Sequence, residues 1–163
     1  MIFFEKIINS FVNFFGNMSS FLLFPMILIT FFVAITRYIF DFGSIALQEL
    51  IIYLHAFVFL GGIIYITHRN KNVRIDIFYN KFNKIKKNLV NTCGTLFFLL
   101  ITSTTIILTS FDYVLQSVIL QESSREAGGL PFVYILKSFI LIMAFGLLLH
   151  GLHFLLKKKY DYL

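Results

Sequence analysis

The amino-acid sequence predicts an all-α integral membrane protein with four transmembrane helices and amphipathic interfacial segments at the N-terminus and between spans two and three. Hydrophobic residues make up 58% of the 163 positions and charged residues 13%, about half the charged share of a soluble domain. The apolar residues form four long runs without the alternating polarity of barrel strands, which indicates helices. The length suits one domain over residues 1–163, with spans at about 18–36, 47–67, 89–111 and 132–156 and an interfacial helix at about 74–88.

The first 17 residues form an amphipathic segment. Apolar residues recur at helical spacing from Phe4 to Phe15, and Glu5, Lys6 and three asparagines lie between and after them. Two interpretations remain open: the segment lies in the membrane interface, or it extends the first span. A cleavable signal peptide is not expected, because the uncharged stretch of residues 7–36 is much longer than the apolar core of a signal peptide.

The second span leads into a basic loop and a second amphipathic segment. Gly61 and Gly62 in this span would allow another helix to approach closely. Apolar residues then follow a 3-4-3-4 spacing from Ile75 to residue 89, with lysines on the other side, which predicts an interfacial helix with its lysines toward lipid phosphates. We expect Arg74 and Asp76 to set the elbow between span two and this helix, since an acidic residue suits a first helical turn.

The third and fourth spans differ in the polar residues that they carry. Span three is rich in hydroxyl and small residues, which favours close helix packing; a polar pathway through the membrane is the alternative. Gly128, Gly129 and Pro131 follow it and are typical of a turn and a helix start. Lys137 is placed to extend its ammonium outward from the start of span four.

The distribution of lysine and arginine predicts the orientation of the chain. Eleven of these residues fall on the face that contains both termini and the loop between spans two and three, and three fall on the other face. The positive-inside rule therefore places both termini in the cytoplasm. Because the positive charge lies beside membrane spans, anionic lipid explains the net charge of +6 better than a nucleic-acid partner does.

Glu49, near the start of span two, is the first residue considered for chemistry. A carboxylate inside or beside a membrane span needs a partner, and Arg37 lies across a short loop. The favoured interpretation is an interfacial ion pair between Glu49 and Arg37. A proton or ion site and a contact with a partner protein are the alternatives.

Histidines on two helices of a bundle are the second possibility, because such a pair can ligate haem. His55 lies in span two, and His150 and His153 lie late in span four. The two spans run in opposite directions, so His55 and the other two histidines are expected at different depths, which argues against a shared haem. The sequence contains no recognisable catalytic or metal-binding motif, so we expect no catalytic, cofactor-binding or metal residues and no enzyme activity.

Several motifs, in order, resemble those of the small membrane subunit of tripartite ATP-independent periplasmic (TRAP) transporters, the DctQ-like proteins. The resemblance extends from about residue 36 to residue 152. Two departures are Asn72, where the family often has histidine, and the lack of tryptophan near span two. The motifs are Arg37-Tyr38-Ile39-Phe40, Gln48-Glu49-Leu50, Tyr53-Leu54-His55 with Gly61, Asn72-Val73-Arg74-Ile75-Asp76 with Phe78-Tyr79, Glu122-Ser123-Ser124, and Gly128-Gly129-Leu130-Pro131 with Lys137-Ser138.

The resemblance implies a scaffold subunit of a sodium-driven importer of organic acids in the bacterial inner membrane. Its implied partners are a large TRAP membrane subunit, which would carry the substrate and sodium sites, and a periplasmic substrate-binding protein that it helps to dock. The alternative from a different class is a haem-bearing membrane anchor of a respiratory enzyme. The residues expected to serve structure or partner contacts are Arg37, Glu49, His55, Gly61, Gly62, Arg74, Asp76, Gly129, Pro131 and Lys137.

Overall fold

The computed structural model describes residues 2–73 and 76–160, without the side chains of residues 2–4, 76, 78 and 158–160. Four of its helical stretches are long and apolar enough to cross a membrane: Glu5–Ile39, Ile45–His68, Lys84–Ile119 and Val133–Lys157. The predicted all-helical, four-span fold class is confirmed. The elements are α1 (Ile2–Ile39), α2 (Ile45–His68), α3 (Asp76–Tyr79), α4 (Lys84–Cys93), a π-helical segment (Gly94–Leu100), α5 (Ile101–Ile119) and α6 (Val133–Tyr160).

The N-terminal amphipathic segment is part of α1, which runs unbroken for 38 residues. Its apolar residues Ile8, Val12 and Phe15 are buried and pack with Ile64 of α2 in the core of the bundle. The residues at helical spacing therefore face a neighbouring helix. Of the two interpretations of this segment, the one that extends the first span describes α1.

The interfacial helix predicted over residues 74–88 is wrong as one continuous helix. α3 ends at Tyr79 and α4 begins at Lys84. Asn83 adopts an extended backbone, and its side-chain oxygen accepts a hydrogen bond from the backbone N–H of Lys86 at 2.9 Å. Asparagine is a strong N-cap residue because it satisfies one of the free amides of a first helical turn. This cap starts a new helix inside the periodic apolar pattern.

The connection between α2 and α3 carries the predicted elbow. Arg74 lies outside the described residues, and the side chain of Asp76 is not among those described. The role predicted for Arg74 and Asp76 therefore stays a prediction. Asn72, just before them, donates from Nδ2 to the Thr67 hydroxyl at 3.4 Å at the end of α2.

The third span consists of α4, the π-helical segment and α5, which join without a break. Its hydroxyl side chains bond carbonyls of their own helix: Thr95 to Asn91 at 2.9 Å and Thr109 to Thr105 at 2.8 Å. Such bonds satisfy a hydroxyl without a partner from another helix. The helix also continues to Ile119, beyond the predicted end of the span at about residue 111.

Small residues bring the four spans together. α2 packs between α1 and α6, and α6 also packs against the third span. Gly61 of α2 faces α1, Gly146 of α6 faces Ile64 of α2, and Gly151 of α6 faces the third span. A Cβ atom built on Gly146 would lie 2.8 Å from Ile64 Cδ1. Since helices in lipid associate by packing and hydrogen bonds, these close approaches define the bundle.

The antiparallel spans give the bundle two chemically different ends. We call one the histidine end: it holds the start of α1, the end of α2, the start of the third span and the end of α6. We call the other the glutamate end: it holds residues 40–44 and 120–132 and the first turns of α2 and α6. Each end contains a group of polar side chains.

Candidate functional site

Glu49 organises the glutamate end. One of its carboxylate oxygens accepts a hydrogen bond from the Ser124 hydroxyl, and Oε2 accepts one from the Leu130 backbone N–H at 2.6 Å. The backbone N–H of Ser124 in turn donates to the Leu130 carbonyl at 3.1 Å. Hydrogen bonds to a charged acceptor are stronger than neutral ones. Glu49 therefore fixes the connection between the third span and α6 to the first turns of α2.

Glycines give this connection its shape. Gly128 has φ of +82°, a conformation that L side chains rarely adopt. Gly129 lies against the Glu49 site, and a Cβ atom there would be 2.8 Å from Glu49 Oε1. The N–H of Gly129 donates to the Glu126 carbonyl at 3.0 Å. Pro131 is exposed and stands two residues before the start of α6.

Lys137 makes a second fixed point at the glutamate end. Its ammonium pairs with Glu122 and lies 4.1 Å from the centre of the Tyr113 ring, which suits a cation–π contact. The Lys137 ammonium, which hydrogen-bonds Glu122, lowers the pKa of that carboxyl. The Lys137 side chain therefore contacts Glu122 and Tyr113. These contacts join α6 to the third span and to the connection that follows it.

The predicted ion pair between Glu49 and Arg37 is wrong. Among the ion pairs formed by the described residues, none joins these two side chains. Arg37 is exposed and, with Asp41 and Gln48, lines an open cavity of about 440 Å³. Backbone and hydroxyl donors from a connection distant in sequence satisfy Glu49 instead, so the nearby cation is not required.

Three histidines meet at the histidine end. The Nδ1 atoms of His68 and His150 lie 3.2 Å apart, and His68 Nε2 lies 2.9 Å from Asn9 Oδ1. The centre of the His153 ring lies 5.7 Å from that of His68, and His153 Nε2 lies 4.0 Å from the Glu5 carboxylate. This cluster joins α1, α2 and α6.

His55 does not belong to this cluster. It is exposed on α2 and stacks on Phe59. Since His68 is thirteen residues further along the same helix, His55 lies about 20 Å from the cluster along the α2 axis. The depth mismatch between His55 and His150 predicted from the sequence is confirmed. In the described parts of the chain, no group of three or more histidine, cysteine, aspartate or glutamate side chains is arranged so that it could hold a metal ion.

The two neighbouring glycines of α2 have different surroundings. A Cβ atom on Gly61 would lie 2.8 Å from Ser19 Oγ and 3.2 Å from Phe15 Cδ1, both on α1. A Cβ atom on Gly62 would meet nothing within 4 Å. Gly61 therefore serves the contact between α1 and α2, and Gly62 faces space outside the bundle.

Sequence reasoning missed three members of these groups: His68, Ser124 as a partner of Glu49, and Glu122 as a partner of Lys137. His68 stands where the apolar run of span two ends, which is a common place for a polar anchor, so nothing singled it out. No local pattern joins it to Asn9 and His150, which lie 59 and 82 residues away on other helices. Ser124 lies 75 residues from Glu49, and no local pattern joins positions so far apart.

These features define a multi-pass membrane protein whose polar groups tie its own helices together. The sequence matches the family described as "Tripartite ATP-independent periplasmic transporters, DctQ component" over residues 26–158. The chain belongs to this family and is a small permease component of a TRAP transporter in the inner membrane. The family is a transporter component, and the alternative of a haem-bearing anchor is not supported. Searches of curated proteins and of solved structures gave no match.

Proposed function

We propose that the protein is the scaffold subunit of a sodium-driven TRAP importer for organic acids. In this role it holds the large membrane subunit, which carries the substrate and sodium sites, and helps to dock the periplasmic binding protein. Family membership over residues 26–158 is the observation that carries this proposal. The polar side chains described above bond mainly within the chain, which suits a support better than a moving transport path.

The fixed connection at the glutamate end suits the docking role. Glu49 holds it from α2, and Lys137 holds it from α6 through Glu122. A surface that keeps one shape loses less conformational freedom on binding, which favours association. We propose that the exposed residues of this connection, Pro131 among them, contact the binding protein or the large subunit.

The proposed orientation places the glutamate end in the periplasm and both termini in the cytoplasm. The support is the excess of lysine and arginine at the histidine end. Cysteines introduced by Arg125→Cys and Lys71→Cys in a Cys93→Ser background test it. A membrane-impermeant maleimide should label Arg125→Cys in intact cells and Lys71→Cys only after lysis. The reverse pattern would overturn the orientation.

Transport itself is tested by uptake of labelled organic acids into cells that express all three components. We expect uptake that needs a sodium gradient and is lost when this chain is deleted. A pull-down should then recover the binding protein on wild-type complex and less of it on a complex with Gly129→Leu, which disturbs the connection. Full uptake without this chain would refute the scaffold role.

A further inference from the structure

A polar cavity of about 580 Å³ lies at the histidine end. Its walls come from α1, the end of α2 with the following loop, α3, the third span and α6. The volume is within the range of small-molecule pockets. The π-helical segment, which contributes Gly94 and Leu99, forms part of the wall, and π-helical turns are frequent at functional sites.

Cationic and imidazole side chains dominate the ionisable lining. Arg69, Lys157 and the three histidines line the cavity, and Glu5 is the single carboxylate among the described residues there. Lys157 Nζ lies 3.4 Å and His153 Nε2 4.0 Å from the Glu5 oxygen, so these groups partly satisfy one another, and Arg69 remains the cation of the lining without a carboxylate partner among the described residues. The fixed charges of the lining, Arg69 and Lys157 against Glu5, are therefore net positive, which favours an anion over a cation.

We propose that this cavity binds a phosphate oxyanion, supplied by a phospholipid headgroup or by a soluble phosphorylated molecule. The cavity lies at one end of all four spans, near the depth at which lipid phosphates lie, and basic pockets between membrane helices bind such headgroups. Arg69 has a planar fork of donors suited to phosphate; one of its terminal nitrogens donates to Asn13 Oδ1 at 2.7 Å, and the other donors of the fork are the ones assigned to the anion. This assignment stands on the cavity alone and does not rest on the proposed transport function.

The histidine pair couples this binding to one proton. Asn9 Oδ1 accepts a hydrogen bond from the Nε2–H of His68. A neutral His68 then accepts through Nδ1 from the Nδ1–H of His150. In that state the Nε2 atom of His150 carries a lone pair, which repels an anion. Protonated His68 donates through Nδ1 instead, so the proton of His150 moves to Nε2, which becomes a donor. The charged and titratable groups that face His68 are Glu5 on α1, Arg69 beside it, and His150, His153 and Lys157 on α6.

The test titrates the purified full-length chain in a phosphate-free maltoside detergent with two probes. Dihexanoyl phosphatidylglycerol represents the headgroup, and sn-glycerol 3-phosphate represents the soluble source. We expect one of them to bind the wild-type chain and Arg69→Gln to weaken that binding by about tenfold or more. Arg125→Gln is the matched control, because it removes the same charge at the opposite end.

The two probes separate the sources. Tighter binding of the lipid assigns the site to a headgroup, and tighter binding of glycerol phosphate assigns it to a soluble molecule. Lipid affinity should also rise as the pH falls, because a phosphodiester does not titrate near neutral pH, whereas protonation of His68 turns the His150 Nε2 atom into a donor. His150→Gln should flatten this dependence, and His68→Gln serves if His150→Gln does not fold.

Three outcomes would overturn the proposal. Neither probe binds the wild-type chain, or Arg69→Gln binds as well as Arg125→Gln does, or the affinity for the lipid does not change with pH. Failure of this site would leave the transport function standing, since that function is tested by uptake and by recovery of the complex.

Discussion

The contrast between Gly61 and Gly62 gives the sharpest test of the packing. A leucine at Gly61 begins with a Cβ atom 2.8 Å from Ser19 Oγ and 3.2 Å from Phe15 Cδ1. Both α1 residues are buried, at 6% and 8% exposure, so neither can move into free space. Three further carbon atoms would have to be placed beyond that Cβ, and α1 must shift away from α2.

The size of the effect follows from comparing the two leucine variants. Replacing glycine by leucine in a helix gains about 0.8 kcal/mol in propensity at either position. Overpacking costs about 1–3 kcal/mol and applies at Gly61 only, since nothing lies within 4 Å of a Cβ on Gly62. We therefore expect Gly61→Leu to be less stable than Gly62→Leu by about 1–3 kcal/mol, or about 2–12 °C in melting temperature.

Thermal denaturation of the two purified chains, followed by the loss of the monodisperse peak in size-exclusion chromatography, measures this difference. Equal melting temperatures for the two variants would refute the packing argument. The two variants should also separate in the complex. If the face of Gly62 meets a helix of the large subunit, Gly62→Leu lowers recovery of the complex without lowering the stability of the isolated chain.

Three further predictions concern the glutamate end. Glu49→Ala should destabilise the chain by about 2–4 kcal/mol, because two charge-assisted hydrogen bonds are lost, and Ser124→Ala should cost less; melting temperatures that rank them in reverse would contradict this. Gly129→Ala should also lower the melting temperature, since its Cβ would lie 2.8 Å from Glu49 Oε1. The lowered pKa of Glu122 means that its pair with Lys137 stabilises the chain above the ordinary carboxyl pKa and that this contribution is lost as the pH falls through the lowered value. Melting curves at falling pH should show that loss in the wild type and not in Glu122→Gln.

The four spans could be read from the sequence because lipid imposes a strong rule. A run of about twenty apolar residues has to be helical to satisfy its backbone. The depth mismatch of His55 and His150 followed from the same rule, since antiparallel helices fix the relative depth of their residues. The ends of the elements were harder. Asn83 caps a new helix inside a periodic apolar pattern, and the spacing of apolar residues does not show where a capping residue starts a helix.

Local sequence patterns could not predict the partners of the polar side chains. Glu49 is satisfied by Ser124 and Leu130, which reach it only when the connection before α6 folds back. The nearer Arg37 looked like the natural partner because sequence proximity is the only distance that a sequence provides. His68 escaped notice for the same reason, since its neighbours Asn9 and His150 are brought to it by packing.

The central claim is that this chain supports a large transport subunit. Affinity purification of the tagged chain from its native membranes in mild detergent, with mass spectrometry of the eluted proteins, tests that claim most directly. We predict a large polytopic membrane partner in near-equal amount and its loss from a variant that disrupts the contact between α1 and α2. Elution of the chain alone, or with a soluble redox protein, would contradict the account.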